Sequence, residues 1–258
     1  MSTILFASDV HGNRQAYDRL FSLEADAIVL GGDLLPYPLK RGGDVLALQR
    51  DFVAGYLAEK FASRPCWWIP GNDDWAAALP LLEGRGTPIH GRAVPFLDGL
   101  SIAGYGCVPV TPFGMKDFDR YDVDRWEPAS VPSRCLWSTA EGIAPVTLQD
   151  VKGRPTIEAD LERLAGLSDP STTVYVFHSP PYATTLDRLR GGVTPIGSRA
   201  VRRFIDRLQP PLTLHGHVHE SPGVERLGRT LSINPGDSMS RLHAVKVDLR
   251  DWSAAPVS

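Results

Sequence analysis

A chain of 258 residues with 43% hydrophobic and 22% charged side chains has a globular composition and enough length to bury a full core, which excludes a mainly disordered polypeptide. The formal net charge of −3 excludes a strongly basic nucleic-acid footprint, so an anionic substrate needs positive charge supplied locally, and a metal ion is one source. No apolar run reaches the length of about 18 residues that spans a membrane, and the N-terminus lacks the basic start and apolar stretch of a signal peptide.

Ile4–Ala7 reads as a buried strand, and Asn13 caps a helix over residues 14–24. Ala27–Leu30 is a second buried strand, stopped by Gly31-Gly32. Residues 44–62 carry apolar positions at helical spacing, with Asp44 as the N-cap rather than a functional acid. Cys66–Ile69 is a third strand, Asp74–Leu82 a short helix and Leu100–Ala103 a fourth strand. Residues 106–155 hold six prolines with no sustained period and read as a loop-rich insertion over the surface, or an excursion covering a sheet edge. A helix follows at 156–167, then the strand Val174–Phe177, a helix at Ser198–Leu208 capped by Ser198, and the strand Leu212–Leu214. Short β-like segments at 224–227, 229–233 and 242–249 close the chain. This order predicts an α/β protein with mixed sheets.

The strand ends carry the chemistry. Successive apolar runs end in Asp9-Val10-His11, Gly31-Gly32-Asp33, Gly71-Asn72-Asp73-Asp74, His178 and Gly216-His217-Val218-His219. Sites in open α/β sheets form at the carboxyl ends of strands, so parallel neighbours would bring these groups to one edge. Mixed carboxylate, amide and imidazole donors suit Mn, Fe or Zn better than Ca or Mg, and they outnumber the needs of one four-coordinate ion.

In that order, the five fragments resemble the calcineurin-like metallophosphoesterase superfamily from about residue 3 to about residue 248, and the turn Asn234-Pro235-Gly236 fits as well. The spelling is nearest to the bacterial and archaeal predicted phosphoesterases related to the Icc protein. The resemblance implies a four-layer αββα sandwich with two mixed β-sheets, built as a single domain. It implies two divalent or trivalent transition-metal ions, with Mn favoured over Fe or Zn. Asp9, His11, Asp33 and His219 would hold the first, and Asp33 would bridge to the second, held with Asn72, His178 and His217. A hydroxide between the ions would attack phosphorus in line, with no protein nucleophile.

One position departs from the family pattern. The family often has His after Gly-Asn, as acid or phosphate ligand, and here the residue is Asp73. A carboxylate beside phosphate is repulsive unless it is protonated or metal-paired. Asn72 and Asp73 are the candidate catalytic positions, Asp73 being either an orienting group behind the ligands or a solvent-facing helix start. The change favours phosphodiesters, or esters with good leaving groups, over monoesters of small phosphorylated metabolites. A metal-binding interaction module with little catalysis is the rival class, and the charge makes long nucleic acid a poor partner.

Other residues read as structural. His215 fits a core position, and His90 and His243 match no motif. Arg190-Gly191-Gly192 and Gly197-Ser198 flank a helix start able to cradle an anion, although a plain turn fits better. Phe113, Trp126 and Trp137 are candidates for ring stacking, with packing preferred. Three cysteines without a C-x-x-C pair argue against disulfides and fit a reducing cytosol, so the expected location is cytoplasmic. Self-association is left open.

Overall fold

The computed structural model describes residues 2–37, 43–110, 114–123, 134–192 and 194–257. The first half alternates strands and helices. β1 (Thr3–Ala7) leads to α1 (Arg14–Ser22), β2 (Ala27–Leu30), α2 (Val45–Phe52), a π-helical turn (Val53–Leu57) and α3 (Ala58–Ser63). β3 (Cys66–Trp68), a 3₁₀ segment (Ala76–Leu82), β4 (Thr87–Pro88), β5 (Arg92–Pro95) and β6 (Ser101–Tyr105) follow. Then come β7 (Val108–Pro109), β8 (Asp119–Arg120), β9 (Cys135–Ser138), β10 (Ile143–Val146), α4 (Leu148–Lys152) and α5 (Ile157–Ala165). β11 (Thr173–Phe177), α6 (Arg199–Leu208), β12 (Leu212–His215), β13 (Gly223–Leu227), β14 (Thr230–Asn234), β15 (Ala244–Asp248) and β16 (Ser253–Val257) complete it.

Two six-stranded mixed sheets result, ordered β16-β15-β1-β2-β3-β4 and β13-β14-β12-β11-β6-β5. β1, β2, β3 and β4 run parallel in the first, and β6, β11, β12 and β14 in the second. Apolar residues on both faces of these strands fix the layering, since a parallel strand buried on both sides must be apolar throughout. Ile4, Phe6 and Val29 meet Ile102, Val174, Val176, Leu212 and Leu214 between the sheets. Leu5, Ile28 and Leu30 face Tyr17, Leu20, Phe52, Leu57 and Phe61 of the first helical layer. Tyr175 and Phe177 face Leu161, Val201 and Phe204 of the second. The architecture is the expected αββα sandwich.

The caps at Asn13, Asp44 and Ser198 are as anticipated, each side chain accepting the backbone N–H three residues on. Other expectations need correction. The 106–155 stretch is not structureless: β9 and β10 pair as an antiparallel hairpin, and Val110, Met115, Tyr121, Cys135 and Val151 form their own apolar cluster. The helix expected from Asp74 begins only at Ala76, as a 3₁₀ segment containing Pro80, so Asp73 and Asp74 precede it. Phe113 and Trp126 lie outside the described residues. Trp137 packs against the apolar cluster with the Arg154 guanidinium 3.5 Å from its ring centre, which accounts for it as packing.

The α6 N-terminus already has its anion. The Asp122 carboxylate accepts from Ser198 Oγ at 2.5 Å and from the backbone N–H groups of Arg199 and Ala200 at 2.6 and 3.3 Å. That favours the plain-turn reading of Gly197-Ser198. His90 accepts the Gly106 N–H at 2.8 Å and stacks on Tyr105, and the three cysteines are free and buried.

Candidate metal centre

The loops after β1 and β2 continue the strand pairing beyond the strands themselves. Asp9 N–H donates to Gly32 O at 3.0 Å, His11 N–H to Asp33 O at 2.8 Å, and Gly12 N–H to Leu34 O at 3.0 Å. Within these loops Asp9, His11 and Asp33 adopt φ of 53°, 46° and 51°, and His217 after β12 adopts 67°. Left-handed backbone at a non-glycine residue costs of order 1–3 kcal/mol and persists only where the surroundings impose it. Here it turns the chain sharply at each strand end, and donor atoms of Asp9, His11 and His219 fall within 4.8 Å of one another, as do those of Asp9, Asp33 and His178.

Two close approaches demand glycine. A Cβ on Gly71 would overlap the Asp33 carboxylate, and one on Gly216 would overlap Ser8 Oγ and the Asp9 carboxylate. The Gly216 contact brings the loop after β12 against the loop after β1, so His217 N–H reaches both Asp9 oxygens at 3.1 and 3.0 Å.

All seven sequence-predicted metal positions converge. His219 Nε2 lies 3.2 Å from Asp9 Oδ1, His11 Nε2 3.7 Å from Asp33 Oδ2, and His178 Nε2 3.4 Å from Asp33 Oδ2. Asn72 Oδ1 is 3.2 Å from His178 Nε2, and the His217 ring centre is 5.3 Å from that of His178. His178 Nδ1 donates to Gly31 O at 2.7 Å, which fixes the tautomer and leaves Nε2 facing Asp33 and Asn72 as a donor atom.

These spacings fit a shared cation. Donor atoms about 2.0–2.2 Å from one ion sit about 3–3.5 Å from each other. The His11 imidazole carries the test: both its ring nitrogens are buried without a hydrogen-bond partner, a costly state that an ion coordinated by one of them would relieve in part. The electrostatics agree. Burial pushes the Asp9 and Asp33 carboxyls up, yet the imidazoles around them, His219 and His178 for Asp9 and His178 for Asp33, hold both below their usual range. Burial pushes His178 down, but the Asp33 charge overrides it and raises the ring to about 9. Burial also lowers His219, and its bond to Asp9 reverses the direction. His217, buried beside the charge of His178, drops to about 4 and stays neutral, the form a metal ligand needs. The two carboxylates and the imidazoles around them thus hold one another in their charged forms.

Asp73 and Asp74 divide the supporting work. Asp74 is fully buried and accepts the backbone N–H groups of Leu34, Leu35 and Gly71 at 3.1, 2.8 and 2.9 Å, tying the loops after β2 and β3 together. The motif contained Asp74, but its sequence context gave it no role. Asp73 donates its backbone N–H to Asp33 Oδ1 at 2.7 Å, while its side chain forms an ion pair with Lys116. Asp73 is therefore not a free solvent-facing helix start. Lys116 lies in the irregular 106–155 stretch, where no sequence signal marked it. His215 is fully buried between Ser179 O and Thr213 Oγ1, a core position as expected.

The sequence comparisons agree with this geometry. A family model described as calcineurin-like phosphoesterase matches residues 2–221. An uncharacterized protein, MJ1162, of Methanocaldococcus jannaschii is 23% identical over 235 residues, covering 90% of this chain and 87% of its own. The crystal structure of TT1561 from Thermus thermophilus superposes with a TM-score of 0.61 at 20% identity, over 100% of this chain and 98% of that one. A second solved structure gives a TM-score of 0.66 at 16% identity with the same coverage. Fold and site together define a two-sheet sandwich with carboxylate–histidine clusters at its strand ends that could hold metal. The chain belongs to the calcineurin-like phosphoesterase family, which implies phosphoric ester hydrolysis.

Proposed function

We propose that the chain is a dinuclear metal-dependent phosphodiesterase of a single domain, acting on a small phosphate ester in the cytoplasm. The buried, unpartnered imidazole of His11 beside Asp33 is the observation that carries the metal centre. Asp9, His11, Asp33 and His219 would hold one ion, and Asp33, Asn72, His178 and His217 the other, with Mn the favoured metal. Asp33 suits the shared position because one oxygen, Oδ2, lies near both His11 and His178. When bound, the ions lower the pKa of water and neutralise phosphate charge.

The protein's own groups orient this site. Gly31 O holds the His178 ring, His217 N–H holds the Asp9 carboxylate, and Asp73 N–H holds Asp33. The diester preference follows from charge. Asp73 is ion-paired with Lys116 and so has no proton ready for a poor leaving group. A diester also carries less negative charge than a monoester dianion toward the buried Asp9 and Asp33 carboxylates.

The test is hydrolysis of bis(p-nitrophenyl) phosphate beside p-nitrophenyl phosphate by chelated protein restored with Mn²⁺. Metal-dependent turnover of the diester above the monoester is expected. Turnover of neither ester by protein loaded with two ions per chain would move the reading to a binding module.

A further inference from the structure

The 106–155 stretch reaches the metal centre through one side chain. Lys116 forms an ion pair with Asp73, whose carboxylate lies within 4.8 Å of the donor atoms of His11 and Asp33. The Lys116 and Asp73 side chains keep 21% and 22% exposure, so the pair is reachable from solvent beside ligands that are nearly sealed. The ammonium also sits 5.5 Å from the ring centre of Tyr37, which is 52% exposed. Among the described residues no second Lys or Arg forms an ion pair with this set.

The lysine is held in place from both sides. Its backbone N–H donates to the buried Asp119 carboxylate at 2.8 Å. The next residue, Asp117, accepts from Ala76 N–H at 3.0 Å and from Ser138 Oγ at 2.5 Å and N–H at 3.0 Å. Met115 exchanges backbone hydrogen bonds of 2.9 Å with Arg134 and Leu136. This network ties the segment to the hairpin β9–β10 and to the loop that carries Asn72 and Asp73. An ammonium has three donors, and among the described residues Asp73 is the hydrogen-bond acceptor of this one. Donors therefore remain for a ligand.

We infer that Lys116 binds a non-bridging oxygen of the substrate's phosphoryl group, with Asp73 as the residue that positions the ammonium. This rests on the phosphoesterase reading and adds a phosphate-binding group to it. It also resolves the charge problem at Asp73: the carboxylate beside the phosphate is neutralised by the cation that grips the phosphate.

The test uses the full chain loaded with Mn²⁺ and three variants, Lys116→Met, Lys116→Gln and Lys116→Arg. Inorganic phosphate affinity by calorimetry, KM for the diester and metal per chain are measured together. Both neutral variants are expected to weaken phosphate binding and raise KM by about 10- to 100-fold with metal content unchanged, the loss of one charge-assisted hydrogen bond. Lys116→Arg is expected to recover most of the affinity, which a purely structural role would not require. Phosphate affinity equal to wild type in either folded neutral variant overturns the inference, as does a wild-type chain with no phosphate affinity. Lys116-dependent phosphate binding by a chain that hydrolyses neither ester would leave the inference standing and overturn the hydrolase reading alone.

Discussion

Asp9, His11, Asp33 and His217 hold left-handed backbone that non-glycine residues rarely adopt, and each is a candidate ligand. The surrounding hydrogen bonds impose that strain, and close glycines leave room for it. Gly71→Ala therefore has a specific expected outcome. Its Cβ would overlap the Asp33 carboxylate, so metal per chain should fall and turnover drop by about 100-fold or more, while far-UV circular dichroism keeps the native spectrum. Asp119 gives a second outcome. Burial pushes its carboxyl up from 3.8 to about 7, so the folded state prefers the protonated form. No penalty applies below the unfolded value, where both states are protonated, and the full penalty applies above about 7. Asp119→Asn should remove that penalty, stabilising the protein relative to wild type at pH 8 by up to about 4 kcal/mol and much less at pH 4. Urea unfolding at both pH values checks it, and a difference independent of pH would contradict it. The candidate ligand set was legible because each member ends an apolar run in a short local motif. The positive φ values were not, since Asp and His carry no local mark of them. Lys116 was not, because its pairing with Asp73 spans 43 residues and no local motif marks it.

Helices and central strands were readable where periodicity or an unbroken apolar run marks them, as in α1, β2 and β11. The edges were not. β4, β5 and β16 carry Pro88, Pro95 and Pro256, which sequence patterns read as breaks; all three are edge strands, where a missing N–H costs the ladder least. The hairpin β9–β10 was hidden in the same way by Pro145. The Asp122 cap joins the segment just after β8 to the start of α6, a link that no cap motif shows because its partners are 76–78 residues apart. Asp122→Ala is expected to lower stability by about 1–3 kcal/mol while leaving metal per chain unchanged, as thermal unfolding and metal analysis would show. Loss of metal in that variant would mean that α6 and the centre are coupled more tightly than these contacts indicate.

The candidate ligands come from both sheets: Asp9, His11, Asp33 and Asn72 follow strands of the first, and His178, His217 and His219 follow strands of the second. Bound ions would join the two sheets at their carboxyl ends, where buried carboxylates and imidazoles replace apolar packing. Metal should therefore stabilise the whole fold, by about 2.7 kcal/mol per site at a concentration one hundred times Kd. Chelation should lower Tm, Mn²⁺ should restore it, and Asp33→Asn should blunt the response. The most direct measurement is anomalous diffraction from crystals of the Mn²⁺-loaded protein. Two peaks are predicted, one among Asp9, His11, Asp33 and His219 and one among Asp33, Asn72, His178 and His217. No peak within reach of Asp33, or both ions bound elsewhere, would contradict the metal centre on which the phosphoesterase account depends.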